Sequence, residues 1–230
     1  MAPSGQQFFA TDLAPDSAWS GLNIECPPSM QAHVRKVLHG EYDVGYVASR
    51  PVILDIGANV GSFAAWALSR WPGCYVHCYE PLPENFVLLK RNLGHLEGKC
   101  VALNNFAIGD PSRTRLLLGR TNCGEASLYD VGEQTNVAVE VVTKPPASLP
   151  PAHILKIDTE GSEIDILAGI PAVDFDAVLL EYHSDESRRK ADAILRDYLL
   201  CGGQAYHLHD GSRHFHRGTM KYLHRRLFAR

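Results

Sequence analysis

Short apolar segments alternate with amphipathic segments from Val52 to Leu200, and this alternation restricts the chain to few folds. Val52–Ile56 is a short, mostly apolar run that ends in a glycine-rich turn, which is typical of a buried parallel strand. Because right-handed crossovers join successive parallel strands, this alternation predicts a doubly wound α/β sheet. Strands are predicted over Val52–Ile56, Cys74–Tyr79, Val101–Ile108, His153–Ile157 and Ala177–Tyr182, with helices over residues 60–70, Pro83–Leu93, Ser162–Ala168 and Glu186–Leu200.

The two ends of the chain depart from this alternation. Ser29–His39 has apolar residues at helical spacing and is followed by Gly40, so a helix is predicted there, whereas residues 1–26 are expected to be irregular. Near the other end, alternation on both sides of Asp210-Gly211 predicts a hairpin. The predicted organisation is a helical lead-in or cap over residues 1–45 and a single domain over residues 46–230, with an antiparallel β insertion over 109–151 and a terminal antiparallel hairpin over 204–217.

Composition excludes several classes of protein. With 230 residues, of which 45% are hydrophobic and 21% charged, the chain can bury a core and is neither disordered nor a disulfide scaffold. Its six cysteines include no C-x-x-C pair, which argues against a zinc knuckle and fits a reducing compartment. No apolar run approaches the ~18 residues of a membrane span, and no signal-peptide pattern is recognisable. We therefore expect a cytoplasmic protein without a membrane partner.

Charge is distributed unevenly along the chain. The formal net charge of −4 at pH 7 argues against a nucleic-acid partner. Six of the 22 Lys and Arg residues lie in Arg213–Arg230, a stretch without Asp or Glu, which leaves 16 of them against 26 acidic residues elsewhere. The basic stretch is either a solvated terminal segment or a patch for an anionic partner.

The turn after the first predicted strand reads Asp55-Ile-Gly57-Ala58-Asn59-Val-Gly61. Glycine lets the backbone approach a ligand closely, and the start of the following helix offers free N–H groups. The turn departs from the G-x-G-x-x-G pattern of nicotinamide-binding proteins because Asp55 replaces the first glycine. A carboxylate there repels a pyrophosphate and suits a cation, such as the sulfonium of S-adenosylmethionine. Asp55, Gly57, Ala58, Asn59 and Gly61 are therefore candidate cofactor-binding residues.

Two further strand ends supply candidates for the same ligand. Glu80, which precedes Pro81 at the end of the second predicted strand, could accept hydrogen bonds from both hydroxyls of a ribose. Asn105 and Ala107 lie at the end of the third, where an adenine would lie and where an amide could bond its edge. The alternative is that these polar groups only satisfy a turn. Glu80, Pro81, Asn105 and Ala107 complete the candidate cofactor site.

Acidic residues follow the fourth and fifth predicted strands. Asp158 is expected beside the methyl group of such a ligand, where it could orient a substrate hydroxyl, act as a base or hold a divalent cation. Glu181 and His183 would meet Asp158 at the same sheet edge. Two carboxylates and a histidine could ligate a hard cation such as Mg²⁺, or His183 could take the proton of the acceptor. These three residues are the candidate catalytic groups and the candidate metal ligands.

In this order, the motifs resemble those of the FkbM family of S-adenosylmethionine-dependent methyltransferases. The resemblance runs from Val52 to about His183, and its most specific part is Lys156-Ile-Asp-Thr-Glu-Gly. It implies a class I methyltransferase (Rossmann-like) fold with a mostly parallel seven-stranded sheet, S-adenosylmethionine as cofactor, and O-methylation of a sugar or secondary metabolite. The other matching segments are Asp55–Gly61, Glu80-Pro81 with Asn85-Phe86 and Leu89-Lys90-x-Asn92, Ala107–Asp110, Gly124–Leu128 and Leu180–His183.

Two alternative enzymes stay open at this point, besides a cofactor-binding protein without catalytic activity, which the acidic residues disfavour. One is an RNA or protein methyltransferase that uses the basic C-terminal stretch, although the sequence lacks the N-P-P-[YF] loop of amino-group methyltransferases. The other is an NAD-dependent oxidoreductase, which Asp55 disfavours. The expected partner is a small hydroxylated acceptor, and a homodimer is compatible with the sequence.

Overall fold

The computed structural model describes residues 9–12, 23–46, 48–119, 126–128, 134–210 and 213–229. Gly124 and Gly211, which belong to two of the features predicted above, lie outside these ranges. No helix in the described part of the chain is long and apolar enough to cross a membrane. In chain order the elements are β1 (Phe9–Asp12), β2 (Asn23–Cys26), α1 (Gln31–Leu38), β3 (Val52–Ile56), α2 (Ser62–Arg70), β4 (Tyr75–Tyr79), α3 (Pro83–Leu93), β5 (Val101–Asn104), β6 (Ala107–Ile108), β7 (Arg115–Gly119), β8 (Gln134–Glu140), β9 (Thr143–Lys144), β10 (Ile154–Ile157), α4 (Glu163–Gly169), β11 (Ala177–Tyr182), α5 (Asp185–Ile194), β12 (Tyr198–Asp210) and β13 (Arg213–His224).

Seven strands form the central sheet in the order β12-β13-β11-β10-β3-β4-β5. Neighbours among β3, β4, β5, β10 and β11 pair in parallel, and β13 pairs antiparallel with both β11 and β12. The predicted doubly wound, mostly parallel seven-stranded sheet with a C-terminal antiparallel hairpin is therefore confirmed. The chain leaves β3 towards β5 and returns on the other side at β10, so the order of strands reverses between β3 and β10. A ligand site is expected at the carboxyl ends of strands that flank such a reversal.

The first crossover shows why a glycine begins helix α2. Gly61 has a φ of +92°, and a Cβ atom there would lie 2.8 Å from Leu89 Cδ1 and 2.9 Å from Leu93 Cδ1. Glycine adopts this φ without strain and lets α2 start this close to α3 without displacing the two leucine side chains. The helix that follows buries a run of small and apolar residues against the sheet, which are Phe63, Ala64, Ala65, Ala67 and Leu68.

Two predicted elements have different bounds in the structure. The predicted strand Val101–Ile108 consists of β5 in the central sheet and β6, which pairs in parallel with β9. The separation falls at Asn105, whose side-chain amide donates to the backbone oxygen of Glu80 at 2.9 Å. The predicted helix Glu186–Leu200 ends at Ile194 instead, because the residues from Tyr198 onward pair with β13. In the insertion, β7 and β8 form an antiparallel pair, but the β6–β9 pair is parallel.

The C-terminal basic stretch is part of the fold. The hairpin of β12 and β13 is longer than the predicted residues 204–217, and Gly218–Leu223 of β13 pairs with β11. Lys221 Nζ donates to the backbone oxygen of Asp43 at 2.9 Å, and Arg226 pairs with Asp176 at 2.9 Å. A solvated terminal segment is therefore the wrong interpretation for Gly218–Leu223, whereas residues 225–229 are exposed.

The N-terminal residues contribute to the same core as the sheet. β1 and β2 pair antiparallel, so residues 9–12 and 23–26 are not irregular as predicted. The Asn92 amide accepts from the backbone N–H of Glu25 at 2.8 Å and donates to the backbone oxygen of Val60 at 2.8 Å, which joins β2 to α3 and the loop before α2. Val34 and Val37 of α1 are buried in one cluster with residues of α2 and β3. The boundary at residue 45 stays a prediction.

Candidate active site

The turn after β3 is fixed between the ends of two other strands. Gly57 has a φ of +80°, and a Cβ atom there would lie 1.8 Å from the backbone oxygen of Asp158, so no other residue fits without moving the backbone. The backbone N–H groups of Gly57 and Ala58 both donate to the backbone oxygen of Tyr79 at 3.0 Å. Asn59 follows with a positive φ of 51°. The turn therefore presents its backbone at the point where the strand order reverses.

Glu80 is held beside this turn by two backbone hydrogen bonds. Its Oε2 atom accepts from the N–H of Asn59 at 2.8 Å, and its Oε1 atom accepts from the N–H of Leu82 at 2.9 Å. Burial raises the pKa of Glu80 to about 7, although these hydrogen bonds and the charge of Lys156 act in the opposite direction. Glu80 also forms a side-chain hydrogen bond with Asn85, and the lone pairs that remain on the carboxylate can accept from a ligand hydroxyl.

A cavity of about 220 Å³ opens at this edge of the sheet. We call one side of it the glycine-loop end, defined by residues 57–59, Glu80, Pro81 and Phe106–Ile108. Six of the predicted cofactor-binding residues line the cavity, namely Gly57, Ala58, Asn59, Glu80, Pro81 and Ala107. Phe106 and Ile108, which the sequence did not single out, add apolar surface there.

Three predicted cofactor-binding residues do not line the cavity and instead contact the residues around it. Gly61 packs on α3, as described above, and is not among the residues that line the cavity. Asn105 donates to the backbone oxygens of Glu80 at 2.9 Å and Pro81 at 3.2 Å, so its amide shapes the turn after β4. Asp55 is completely buried and lies beneath the glycine turn.

The carboxylate of Asp55 faces a buried lysine instead of the cavity. Lys156 Nζ lies 3.1 Å from Asp55 Oδ1, donates to the backbone oxygen of Gly57 at 2.7 Å, and lies 3.7 Å from Asp158 Oδ2. Burial raises the pKa of Asp55, and the charge of Lys156 opposes this shift. Asp55 therefore neutralises the charge of Lys156, and its position does not support a direct contact with the cofactor.

The other side of the cavity is the acidic end, defined by Tyr42, Lys156, residues 158–160, Glu181 and His183. Tyr42 O–H donates to Asp158 Oδ2 at 3.0 Å. Burial raises the pKa of Tyr42 well above its ordinary value, and the charges of Asp158 and Glu181 raise it further. Sequence reasoning missed Tyr42 because it lies 116 positions from Asp158, on a segment without a motif.

His183 lies among three carboxylates. Its Nε2 atom is 2.9 Å from Glu160 Oε2 and 3.9 Å from Glu181 Oε2, and its Nδ1 atom is 3.6 Å from Glu163 Oε1. Burial lowers the pKa of His183, but Glu163, Glu160 and Glu181 together raise it well above its usual range. Glu163 also accepts from the backbone N–H groups of Thr159 and Gly161, which caps the start of α4.

The predicted metal trio is only partly brought together. Glu181 and His183 are neighbours, but Asp158 is engaged by Lys156 and Tyr42. Glu160 takes its place, and Glu160, Glu181 and His183 each offer one ligand atom within 4.8 Å of the others. Asp158 stays at the acidic end as a residue that lines the cavity next to Gly57.

The fold and the cavity define a protein of the class I methyltransferase type. The sheet order, the glycine turn after β3 and the buried carboxylate after β4 occur together at the reversal of strand order. A structure similar to this chain is P. horikoshii TYW2 in complex with MeSAdo, with a TM-score of 0.56 and 11% identity over 95% of this chain and 72% of that one. At this identity the likeness concerns the fold alone.

Residues 55–226 match the model of the methyltransferase FkbM domain, and the chain belongs to this family. The 31-O-demethyl-FK506 methyltransferase FkbM of Streptomyces tacrolimicus is 30% identical over 64% of this chain and 71% of its own length. The methyltransferase sdnD of Sordaria araneosa is 24% identical over 68% of this chain and 76% of its own length. The family resemblance recognised in the sequence is therefore confirmed.

Proposed function

We propose that this chain is an S-adenosylmethionine-dependent O-methyltransferase that acts on a hydroxyl of a sugar or secondary metabolite. The observation that carries the proposal is one continuous cavity that joins Glu80, a carboxylate able to accept ribose hydroxyls, to the acidic end with Asp158. The relative from Streptomyces tacrolimicus is named as a methyltransferase of a 31-O-demethyl compound. This name supports the choice of oxygen as the atom that receives the methyl group here.

The glycine-loop end fits the cofactor in shape and in chemistry. A Cβ atom at Gly57 would strike the backbone of Asp158, so glycine is what lets this turn lie against the end of β10 beside the cavity. Glu80 would accept the ribose hydroxyls on the lone pairs that Asn59, Leu82 and Asn85 leave. Pro81, Phe106 and Ile108 would cover the adenine. When bound, the cofactor supplies an electrophilic methyl group on a sulfonium.

The acidic end would hold the acceptor and remove its proton. In-line transfer requires the acceptor oxygen to be aligned with the methyl group and shielded from water. Asp158 lies next to Gly57 at the junction of the two ends, so we assign to it the hydrogen bond from the acceptor hydroxyl and the uptake of its proton. Lys156 and Tyr42 hold the carboxylate of Asp158 in place. Glu181 lines the same wall, and His183 lies behind it.

The charge of the acidic end also bears on the alternatives. Asp158, Glu160 and Glu181 line the cavity where an acceptor would lie, and carboxylates repel the phosphates of a nucleic acid. The basic stretch that suggested an RNA acceptor is largely a strand of the central sheet. An uncharged hydroxylated small molecule suits this wall better. The cytoplasmic location and the homodimer stay predictions.

Calorimetric titration with S-adenosylhomocysteine tests the cofactor half of the proposal. The wild type and Glu84→Gln, an exposed carboxylate in the first turn of α3, are expected to bind alike. Glu80→Gln is expected to bind at least tenfold more weakly, since it loses the charge that accepts the hydroxyls. Equal affinity in Glu80→Gln, or tighter binding of NADH than of S-adenosylhomocysteine, would contradict the proposal.

Transfer of a labelled methyl group from S-adenosylmethionine tests the acceptor half. A panel of hydroxylated sugars and metabolites is compared with transfer RNA and with a protein extract. Label in a hydroxylated small molecule, lost in Asp158→Ala, is the expected result. Label found only in RNA or protein would contradict the proposal and show that the acceptor is a macromolecule.

A further inference from the structure

We propose that Glu160, Glu181 and His183 bind one divalent metal ion of the Mg²⁺ or Mn²⁺ type at the acidic end of the cavity. The three residues come from the ends of two neighbouring strands, β10 and β11, and each presents one ligand atom. Oxygen ligands suit Mg²⁺ and Mn²⁺, and an imidazole nitrogen is accepted by Mn²⁺ and its neighbours among the transition metals.

One separation between the ligand atoms already has the length expected around an octahedral ion. Metal–ligand bonds of about 2.1 Å place neighbouring ligands about 3.0 Å apart. His183 Nε2 lies 2.9 Å from Glu160 Oε2 and 3.9 Å from Glu181 Oε2. The first distance matches this spacing, whereas the second and the overall limit of 4.8 Å are longer, so the side chains must rotate to reach a common ion.

The buried nitrogens of the histidine ring supply a second observation. Both ring nitrogens of His183 are buried, yet neither makes a hydrogen bond of normal geometry to a described residue. The contact between Nε2 and Glu160 has the length of a hydrogen bond without its alignment. Two neighbouring ligands of one ion have this relation, because each points at the metal and not at the other.

A carboxylate behind the histidine completes the arrangement expected of a metal ligand. His183 Nδ1 faces Glu163 Oε1 at 3.6 Å, and Glu163 is itself held by the backbone N–H groups of Thr159 and Gly161. Such a carboxylate fixes the tautomer of the ring and leaves the opposite nitrogen to bind the ion.

Charge and access favour an ion at this place over a position beside Asp158. Three carboxylate oxygens lie within 4 Å of the His183 ring nitrogens, and carboxylates attract a dication. Asp158 already contacts the ammonium of Lys156, which would repel a second cation. Glu160 and Glu181 line the cavity, which leaves coordination positions open for water or for an acceptor. Polarisation of the acceptor oxygen by the ion would rest on the proposed function.

Binding of Mn²⁺ by the full chain, without any cofactor, tests the site. The electron paramagnetic resonance signal of free Mn²⁺ is titrated with the wild type, Glu181→Gln, Glu160→Gln and His183→Ala. The matched control is Glu186→Gln, an exposed carboxylate of α5 that pairs with Lys190. We expect one bound ion per chain in the wild type and in the control, and at least tenfold weaker binding in each site variant.

Two results would overturn the site: Mn²⁺ binding equally weak in the wild type and all variants, or equal binding in Glu186→Gln and the three site variants. Circular dichroism checks the fold, and the two glutamine variants keep the test decisive if His183→Ala does not fold. Calorimetry with S-adenosylhomocysteine reports separately on the proposed function. Loss of cofactor binding with Mn²⁺ binding retained would reject that function and leave the metal site standing.

Discussion

The two ends of the cavity are built on different principles. At the glycine-loop end, the polar groups are backbone groups and one carboxylate that hydrogen-bond to each other. These partners lie close in sequence, since Asn59 is 21 positions from Glu80 and Leu82 is two. At the acidic end, charged side chains balance one another across much longer separations, as Tyr42 and Asp158 do. A local motif can specify the first kind of site, but the second depends on which charges the fold brings together.

Loss of Lys156 should cause the largest effect, because the acidic end depends on charge compensation. Lys156→Met leaves the carboxylate of Asp55 buried without its cation, which destabilises a protein by about 3–5 kcal/mol. The Asp55→Asn/Lys156→Met double variant removes both charges and is expected to lose less than the sum of the two single variants. Urea unfolding gives the free energy of unfolding of the wild type, the two single variants and the double variant. Additive losses would mean that the two charges are not coupled.

A methyl group at Gly57 should destabilise nearly as much, but for a steric reason. Gly57→Ala combines a positive φ with a clash against the backbone of Asp158, and together these cost about 3 kcal/mol. Gly45→Ala is the matched control, because Gly45 has a φ of +66° and no neighbour within 4 Å, so it should lose only about 1 kcal/mol. Similar losses of unfolding free energy in the two variants would show that the close approach of the turn to Asp158 is not required.

The pKa of Glu80 predicts opposite effects of pH on stability and on binding. Burial raises this pKa from its ordinary value of 4.5 to about 7, so between these pH values the folded protein binds more protons than the unfolded chain. Glu80 therefore makes its full contribution to the free energy of unfolding below pH 4.5. This contribution falls as the pH rises through the folded-state pKa of about 7, by at most about 1.4 kcal/mol per pH unit.

Cofactor affinity should change in the other direction, because the ionised carboxylate accepts hydroxyls better. S-adenosylhomocysteine is expected to bind about tenfold more tightly at pH 8 than at pH 6. The same titrations and urea unfolding in Glu80→Gln provide the reference. An unchanged pH dependence in that variant would mean that other groups cause it.

Removal of one hydroxyl at the acidic end should have the smallest effect on stability. Tyr42→Phe loses the hydrogen bond to Asp158, which costs about 1–2 kcal/mol of unfolding free energy. Tyr46→Phe loses a similar bond, to Asp176 at 2.7 Å, at a place outside the cavity. Both variants should lose similar stability, but only Tyr42→Phe should lower the rate of methyl transfer. Equal transfer rates in the two variants would show that the hydroxyl of Tyr42 does not position Asp158 for methyl transfer.

Prediction from the sequence succeeded where structure is local. The apolar run Val52–Ile56 and the helix Pro83–Leu93 have the predicted bounds, since their periodicity and end signals lie within the segment. It was less accurate for Val101–Ile108 and Glu186–Leu200, where pairing with distant strands decides the bounds. Asn105 and Asp55 were assigned to a ligand because the partners of both and the burial of Asp55 are not visible in a motif.

The sequence by itself determined the family, the sheet type, and the positions of the glycine turn and of Glu80, because backbone geometry and strand ends leave a pattern in consecutive residues. Only the tertiary structure decided that Lys156 neutralises Asp55, that Tyr42 reaches Asp158, and that Glu160 stands beside His183. These contacts follow from the register of neighbouring strands and from the packing of the N-terminal segment. A charge acquires its role from the groups within a few ångströms of it, and in this site those groups are far apart in the chain.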